Sequence, residues 1–200
     1  MSDNYEVIVQ DNLHRLYSIL PKDLAQNLPG ERDGDRFMFD AFGERCVIDP
    51  KGINIGKSEH SSVLGILLSL YALSANSDLC ILSPLKSFKE FPGSMPYVGA
   101  FTKHTEQLLV PYVAKIKDSL PRISEAFKGE KSPSETQVDF SFVVYPLPKI
   151  ALCYSFYEAD DEFPASVTCL YSSNANQFMP VIGLADVGEY TSKKMLSLLE

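Results

Sequence analysis

The sequence has no run of lysines and arginines, no cysteine pair at metal-binding spacing and no apolar stretch long enough to cross a bilayer. Lys and Arg number 18 against 26 Asp and Glu, a formal net charge of −8 at pH 7. Phosphate recognition relies on clustered cations that release counterions. Here Lys22, Arg32, Arg36, Arg45, Lys51 and Lys57 are interleaved with acids, so nucleic acid is excluded as the main partner. An acidic surface would also repel an anionic membrane. The longest apolar stretch, Val63 to Leu73, is broken by Gly65, Ser69 and Tyr71. It falls well short of the roughly 20 residues of a transmembrane helix. Residues 1–6 show no basic segment leading into an apolar one, so no secretory signal is read and the expected location is the cytoplasm.

Chemical motifs are equally sparse. The four cysteines, at 46, 80, 153 and 169, form no C-x-x-C pair. Cys153 and Cys169 lie in apolar runs and are expected to be buried strand thiols rather than a disulfide. The three histidines, His14, His60 and His104, form no H-x-x-x-H or H-E-x-x-H pair, which argues for solvated or hydrogen-bonded side chains. No metal site is expected. Serine nucleophile elbows, dinucleotide fingerprints and phosphate-binding P-loops are all absent.

What is present is the material for a core. A chain of 200 residues, 45% hydrophobic and 22% charged, should bury about 70% of its unfolded surface. Tyr5, Val9, Leu13, Leu16 and Leu20 recur at steps of three and four, giving an amphipathic helix stopped by Pro21. A short helix holding Leu24 and Leu28 should follow, then a loop over Glu31 to Asp35. Arg36 to Phe42, Glu44 to Ile48 and Ile53 to Ile55 read as a three-stranded antiparallel meander. Ser58 is a candidate N-cap for a helix from about Glu59 to Ala75, which is apolar nearly all round and therefore buried.

Leu79 to Tyr97 holds three prolines and Gly93 and reads as an ordered loop anchored by Phe88 and Phe91. Helical periodicity runs from about Tyr97, breaks near Pro111, restarts at Ser119 and closes at Gly129. Glu130 to Gln137 is linker-like. A second β region follows over Val138 to Tyr145, Lys149 to Tyr157 and Ala165 to Tyr171, rich in Val, Ile, Phe and Tyr. A final helix carries Leu184, Val187, Thr191, Met195 and Leu198 on one stripe. Two antiparallel β regions split by helices, without βαβ alternation, predict an α+β fold: one domain over residues 1–200, with several amphipathic helices around a buried central one.

Two segments are candidate ligand-binding sites. In the turn Glu158, Asp160, Asp161 and Glu162, close carboxylates could hold a hard cation or raise one another's pKa to give a general acid. The alternative is a hairpin turn whose Asp side chains bond nearby backbone N–H groups. In the loop with Phe88, Phe91, Gly93 and Tyr97, backbone N–H groups before a helix could hold an anion, and Gly93 would admit a ligand closely. The alternative is a packing loop with its phenylalanines in the core.

The residues from Val63 to Leu198 resemble a bacterial and archaeal family catalogued as domain of unknown function 3786. The resemblance rests on Leu70-Tyr71-Ala72-Leu73, Ser87 to Gly93 with Tyr97 and Phe101, Pro146-Leu147-Pro148, and Tyr157 to Ser166. There are departures: Tyr157-Glu158-Ala159 stands where relatives often have Trp-Glu-Gly, Ser94 where a second glycine is common, and Pro180-Val181-Ile182 lacks the usual polar residues. Some relatives carry a cysteine-rich N-terminal segment that suggests an iron–sulfur cluster, and nothing here matches it; a role near corrinoid or iron–sulfur proteins rests on those relatives alone. The resemblance implies no established activity or cofactor. With no convergent acid, base and nucleophile, the sequence favours a non-catalytic accessory protein that binds a small molecule or a protein partner. The competing expectation is a metal-assisted enzyme using residues 158–162 in hydrolysis or proton transfer.

Overall fold

The computed structural model describes residues 2–56, 58–59, 62–133 and 138–199. The first apolar stripe forms α1 (Ser2–Ile19), which turns Val9, Leu13 and Leu16 inward. Tyr5, expected on the same stripe, is 41% exposed, because a stripe is buried only as far as a neighbour covers it. A single turn, α2 (Leu24–Asn27), buries Leu24.

The expected meander is the centre of a larger sheet with strands in sequence order: β1 (Glu31–Asp33), β2 (Arg36–Ala41), β3 (Glu44–Asp49), β4 (Gly52–Ile55) and β5 (Ser58–Glu59). Two expectations are corrected here. Residues 31–33 are a strand and not a loop. Gly34, at φ +59, reverses the chain so that Asp33 pairs with Arg36. Ser58 likewise does not begin a helix, because a second reversal at Gly56 (φ +57) lays Ser58–Glu59 against Asn54–Ile55. The helix α3 (Val63–Leu73) starts later, after Ser62. As its composition requires, it is deeply packed: Leu67, Leu68, Tyr71 and Ala72 are buried, and Leu64, Ile66, Leu70 and Leu73 are partly so.

The second sheet has the order β6 (Lys86–Ser87), β10 (Ser166–Tyr171), β9 (Ile150–Tyr157), β8 (Phe140–Leu147), β7 (Glu130–Lys131), all antiparallel. Glu130 and Lys131 open the stretch expected to be a linker, but they pair with Val143 and Phe142 as a short edge strand. Residues 134–137 of that stretch, like His60, lie outside the described residues. Every residue of β9 but Tyr157 is buried, on both faces. Cys169 pairs with Tyr154 and Leu170 with Cys153, so the two thiols point to opposite faces, and all four cysteines are free.

Along the chain between β6 and β7 come α4 (Val98–Phe101), a π turn over Thr102–Glu106, α5 (Val113–Asp118) and α6 (Leu120–Phe127); α7 (Val181–Ser197) follows β10. On α7, Leu184, Val187, Thr191 and Met195 face inward, and Gly188 lets the helix approach. A Cβ there would stand 2.7 Å from Phe101 and 2.9 Å from the Tyr171 hydroxyl.

One contiguous core draws on α1, α3, α7 and both sheets. The sheets are also joined directly, since the Phe42 N–H donates to the Pro146 carbonyl at 2.7 Å. The architecture is thus a single α+β fold. No helix among the described residues is long and apolar enough to cross a membrane.

Candidate functional site

Phe88 and Phe91 are each 2% exposed and belong to an aromatic cluster. Phe88 stacks on Phe101 at 4.6 Å, and Phe91 meets Tyr171 edge-on at 5.7 Å. The loop is shaped by a capping box, in which Glu90 Oε2 accepts from the Ser87 N–H at 2.7 Å and the Ser87 hydroxyl at 2.8 Å. Gly93 is exposed at φ +80, and Tyr97 is half-buried against the core.

The acidic turn directs its carboxylates to its own neighbours. Asp160 Oδ1 accepts from the N–H groups of Glu162 at 2.8 Å and Phe163 at 2.7 Å, which hold its carboxyl below the usual range. Glu158 pairs with Lys117 at 2.7 Å, while its N–H donates to Asp139 at 2.7 Å. Asp161 and Glu162 are exposed. Among the described residues no group of three His, Cys, Asp or Glu stands where it could share a metal ion. The loop and the turn meet β10 at opposite ends: Ser87 pairs with Leu170, whereas the turn precedes Ser166. Four residue steps along the strand separate these points, about 13 Å.

A different set of residues converges at the junction of the two sheets. On β2, Phe37, Phe39 and Ala41 face the core, so Asp40 faces away from it, opposite Arg45 in the β2–β3 register. The two-residue connection Phe42-Gly43 has φ of +50 and +76, as a type I′ hairpin requires. That turn lies against the end of α6, where a Cβ on Gly43 would stand 3.0 Å from the Ala126 carbonyl oxygen. Lys128 closes α6 in the left-handed conformation (φ 52, ψ 41), a position glycine usually takes.

From there the Lys128 ammonium reaches Asp40 Oδ2 at 2.6 Å. Arg45 bridges Glu31 at 2.9 Å and approaches Asp40 at 3.6 Å. Tyr145, on β8, donates its hydroxyl to Glu130. The Lys128 hydrogen bond holds the Asp40 carboxyl below the usual carboxylate range, and burial pushes the Tyr145 phenol up.

Glu31, Asp40, Arg45, Lys128 and Tyr145, with Pro29, Gly30 and Pro148, line a cleft of about 570 Å³. An adjoining hollow of about 260 Å³ shares Asp40, Arg45, Lys128 and Tyr145. The volume lies in the range of small-molecule sites, and five of the eight lining residues are charged or polar. Neither hollow is lined by a described serine, cysteine or histidine, and both present charged and hydrogen-bonding side chains. Sequence reasoning missed this cleft. Its only local signal is the Asp40–Arg45 pair straddling Phe42-Gly43; Lys128 and Tyr145 arrive from more than 80 residues away.

One further buried cation has a structural role. Lys149 is 5% exposed, donates to the Asn76 carbonyl at 2.6 Å and lies 5.5 Å from the Phe178 ring centre. It ties the β8–β9 turn to the chain just beyond α3, and burial lowers its pKa.

This fold, an α+β protein with a polar cleft where its two sheets meet, defines the class. Residues 21–194 match the family described as domain of unknown function DUF3786, and the chain belongs to that family. The matched stretch contains every residue that lines the cleft, the loop Phe88 to Tyr97 and the acidic turn. No curated protein and no solved structure matches the chain.

Proposed function

We propose that this is a non-catalytic cytoplasmic protein, residues 1–200 acting as one unit, that binds a small polar ligand in the cleft between its sheets. The observation that carries the reading is the convergence of Arg45, Lys128, Asp40 and Tyr145, from four separate elements, on one cavity of about 570 Å³. A non-glycine residue held at positive φ on the rim adds support, since backbone strain persists where surrounding structure imposes it and clusters at functional sites.

The loop residues Phe88, Phe91, Gly93 and Tyr97 have weaker support as a ligand site, because both phenylalanines are spent on the core. The turn residues Glu158, Asp160, Asp161 and Glu162 have weaker support too. A metal-assisted enzyme there would need free carboxylates, and those of Glu158 and Asp160 are engaged by Lys117 and backbone N–H groups.

Native mass spectrometry on freshly purified protein, with thermal shifts across a metabolite panel, tests binding. A ligand at a hundred times its Kd stabilises by about 2.7 kcal/mol, and so raises Tm by roughly 5–10 °C for a chain of this size. A bare mass with no shift from any metabolite contradicts the reading.

A further inference from the structure

We infer that the cleft takes a zwitterion, a free α-amino acid, held between Glu31 and Arg45. The inference rests on the binding reading above and adds the chemical class of the ligand. Two cations, Arg45 and Lys128, and two carboxylates, Glu31 and Asp40, line the cavity, so its wall is electrically balanced. Each cation already has a partner: Lys128 holds Asp40 at 2.6 Å, and Arg45 holds Glu31 at 2.9 Å.

The two pairs are unequal. Asp40 is held by both cations, whereas Glu31 is held by Arg45 alone on a side chain 71% exposed. Such an exposed pair contributes little and opens readily. A ligand bearing only a carboxylate would evict Glu31 from Arg45 and leave it unpaired in a chain of net charge −8. A ligand bearing only an ammonium would take Glu31 and leave Arg45 the longer contact to Asp40. A zwitterion inserts into the pair without either loss. Its carboxylate takes the planar fork of the Arg45 guanidinium, which suits a two-point contact. Its ammonium takes Glu31, one ion pair becomes two, and no charge is left over. Pro29, Pro148 and the Tyr145 ring offer apolar surface to the amino acid's side chain.

The test is a set of ¹⁵N–¹H titrations of the full chain with the common amino acids, reading the Gly30 amide and the Arg45 Nε. L-Phenylalanine is run beside N-acetyl-L-phenylalanine, which keeps only the negative charge, and L-phenylalanine amide, which keeps only the positive one. The expected result is that at least one free amino acid shifts both signals, and that removing either of its charges weakens binding about two- to fivefold, the scale of one exposed ion pair. Arg45→Met should abolish the response at the Gly30 amide, and Glu31→Gln should weaken the zwitterion while strengthening the N-acetyl compound, which no longer has to displace Glu31 from Arg45. If the singly charged compounds bind as well as the free amino acid, the zwitterion assignment is overturned and the binding reading stands. If no amino acid shifts either signal, the assignment is again overturned, and the binding reading falls only if the metabolite panel is silent as well.

Discussion

The carboxylate of Glu106, at the end of the π turn, accepts a hydrogen bond from the backbone N–H of Cys169 at 3.0 Å. Cys169 sits on the outer side of β10, where β6 pairs only with Leu170 and Tyr171. Glu106 therefore stands in for a missing strand and covers a piece of open sheet edge. Its carboxyl is half-buried, and that burial raises its pKa.

Two outcomes are expected at Glu106. Glu106→Ala removes the acceptor and should cost about 1–3 kcal/mol. Glu106→Gln keeps an oxygen for the Cys169 N–H and removes the buried charge, so at neutral pH it should be at least as stable as the wild type. The raised carboxyl binds a proton in the folded state at a pH where the unfolded chain has lost it. Stability from this group is therefore lowest above the raised pKa and recovers as pH falls towards the ordinary carboxylate value. Urea melts from neutral to mildly acidic pH should show the wild type gaining on Glu106→Gln as pH falls, and a gap that widens instead would contradict the assignment.

Lys128 combines a strained backbone with an exposed ion pair. Lys128→Gly should relieve roughly 1 kcal/mol of left-handed strain and forfeit a surface pair worth about the same or less. It should therefore stay within about 1 kcal/mol of the wild type. Lys128→Ala loses the pair and keeps the strain, so it should be less stable than Lys128→Gly by about 1 kcal/mol. Chemical denaturation of both variants checks the order. An alanine variant as stable as the glycine one would mean that φ at this position is not strained.

At the acidic turn, Asp160→Asn together with Asp161→Asn should leave the fold intact, since an amide oxygen still accepts from the Glu162 and Phe163 N–H groups. Calorimetry with Mg²⁺, Mn²⁺ and Ca²⁺ should give no binding heat in either the native or the double-variant protein. A heat in the native protein that the double variant loses would restore the metal-assisted reading.

The long periodic elements were legible in the sequence because burial dictated them. The stripe of α7, the greasy α3 and the three strands rich in Val, Ile, Phe and Tyr each declare which face is inward. The elements missed are those that burial does not dictate. Glu31-Arg32-Asp33 has three exposed charged side chains and is a strand only because the reversal at Gly34 delivers it to β2. Ser58–Glu59 follows another reversal, at Gly56, in the same way. Residue type places the end of α6 at Gly129, but the left-handed residue is Lys128, one position earlier. A lysine there gives no local sign of its conformation. The cleft was hidden for a related reason: its four convergent polar side chains come from β2, β3, the end of α6 and β8, and only the packing of one sheet against the other unites them.

The central claim is that ligands enter where the sheets meet. Amide shifts on adding the best-binding metabolite test it most directly, by comparing Gly30, Asp40, Arg45 and Tyr145 with Phe88, Phe91, Gly93, Asp160 and Asp161. The large shifts should fall on the first group, and the second should stay still. Shifts confined to the second group would contradict it.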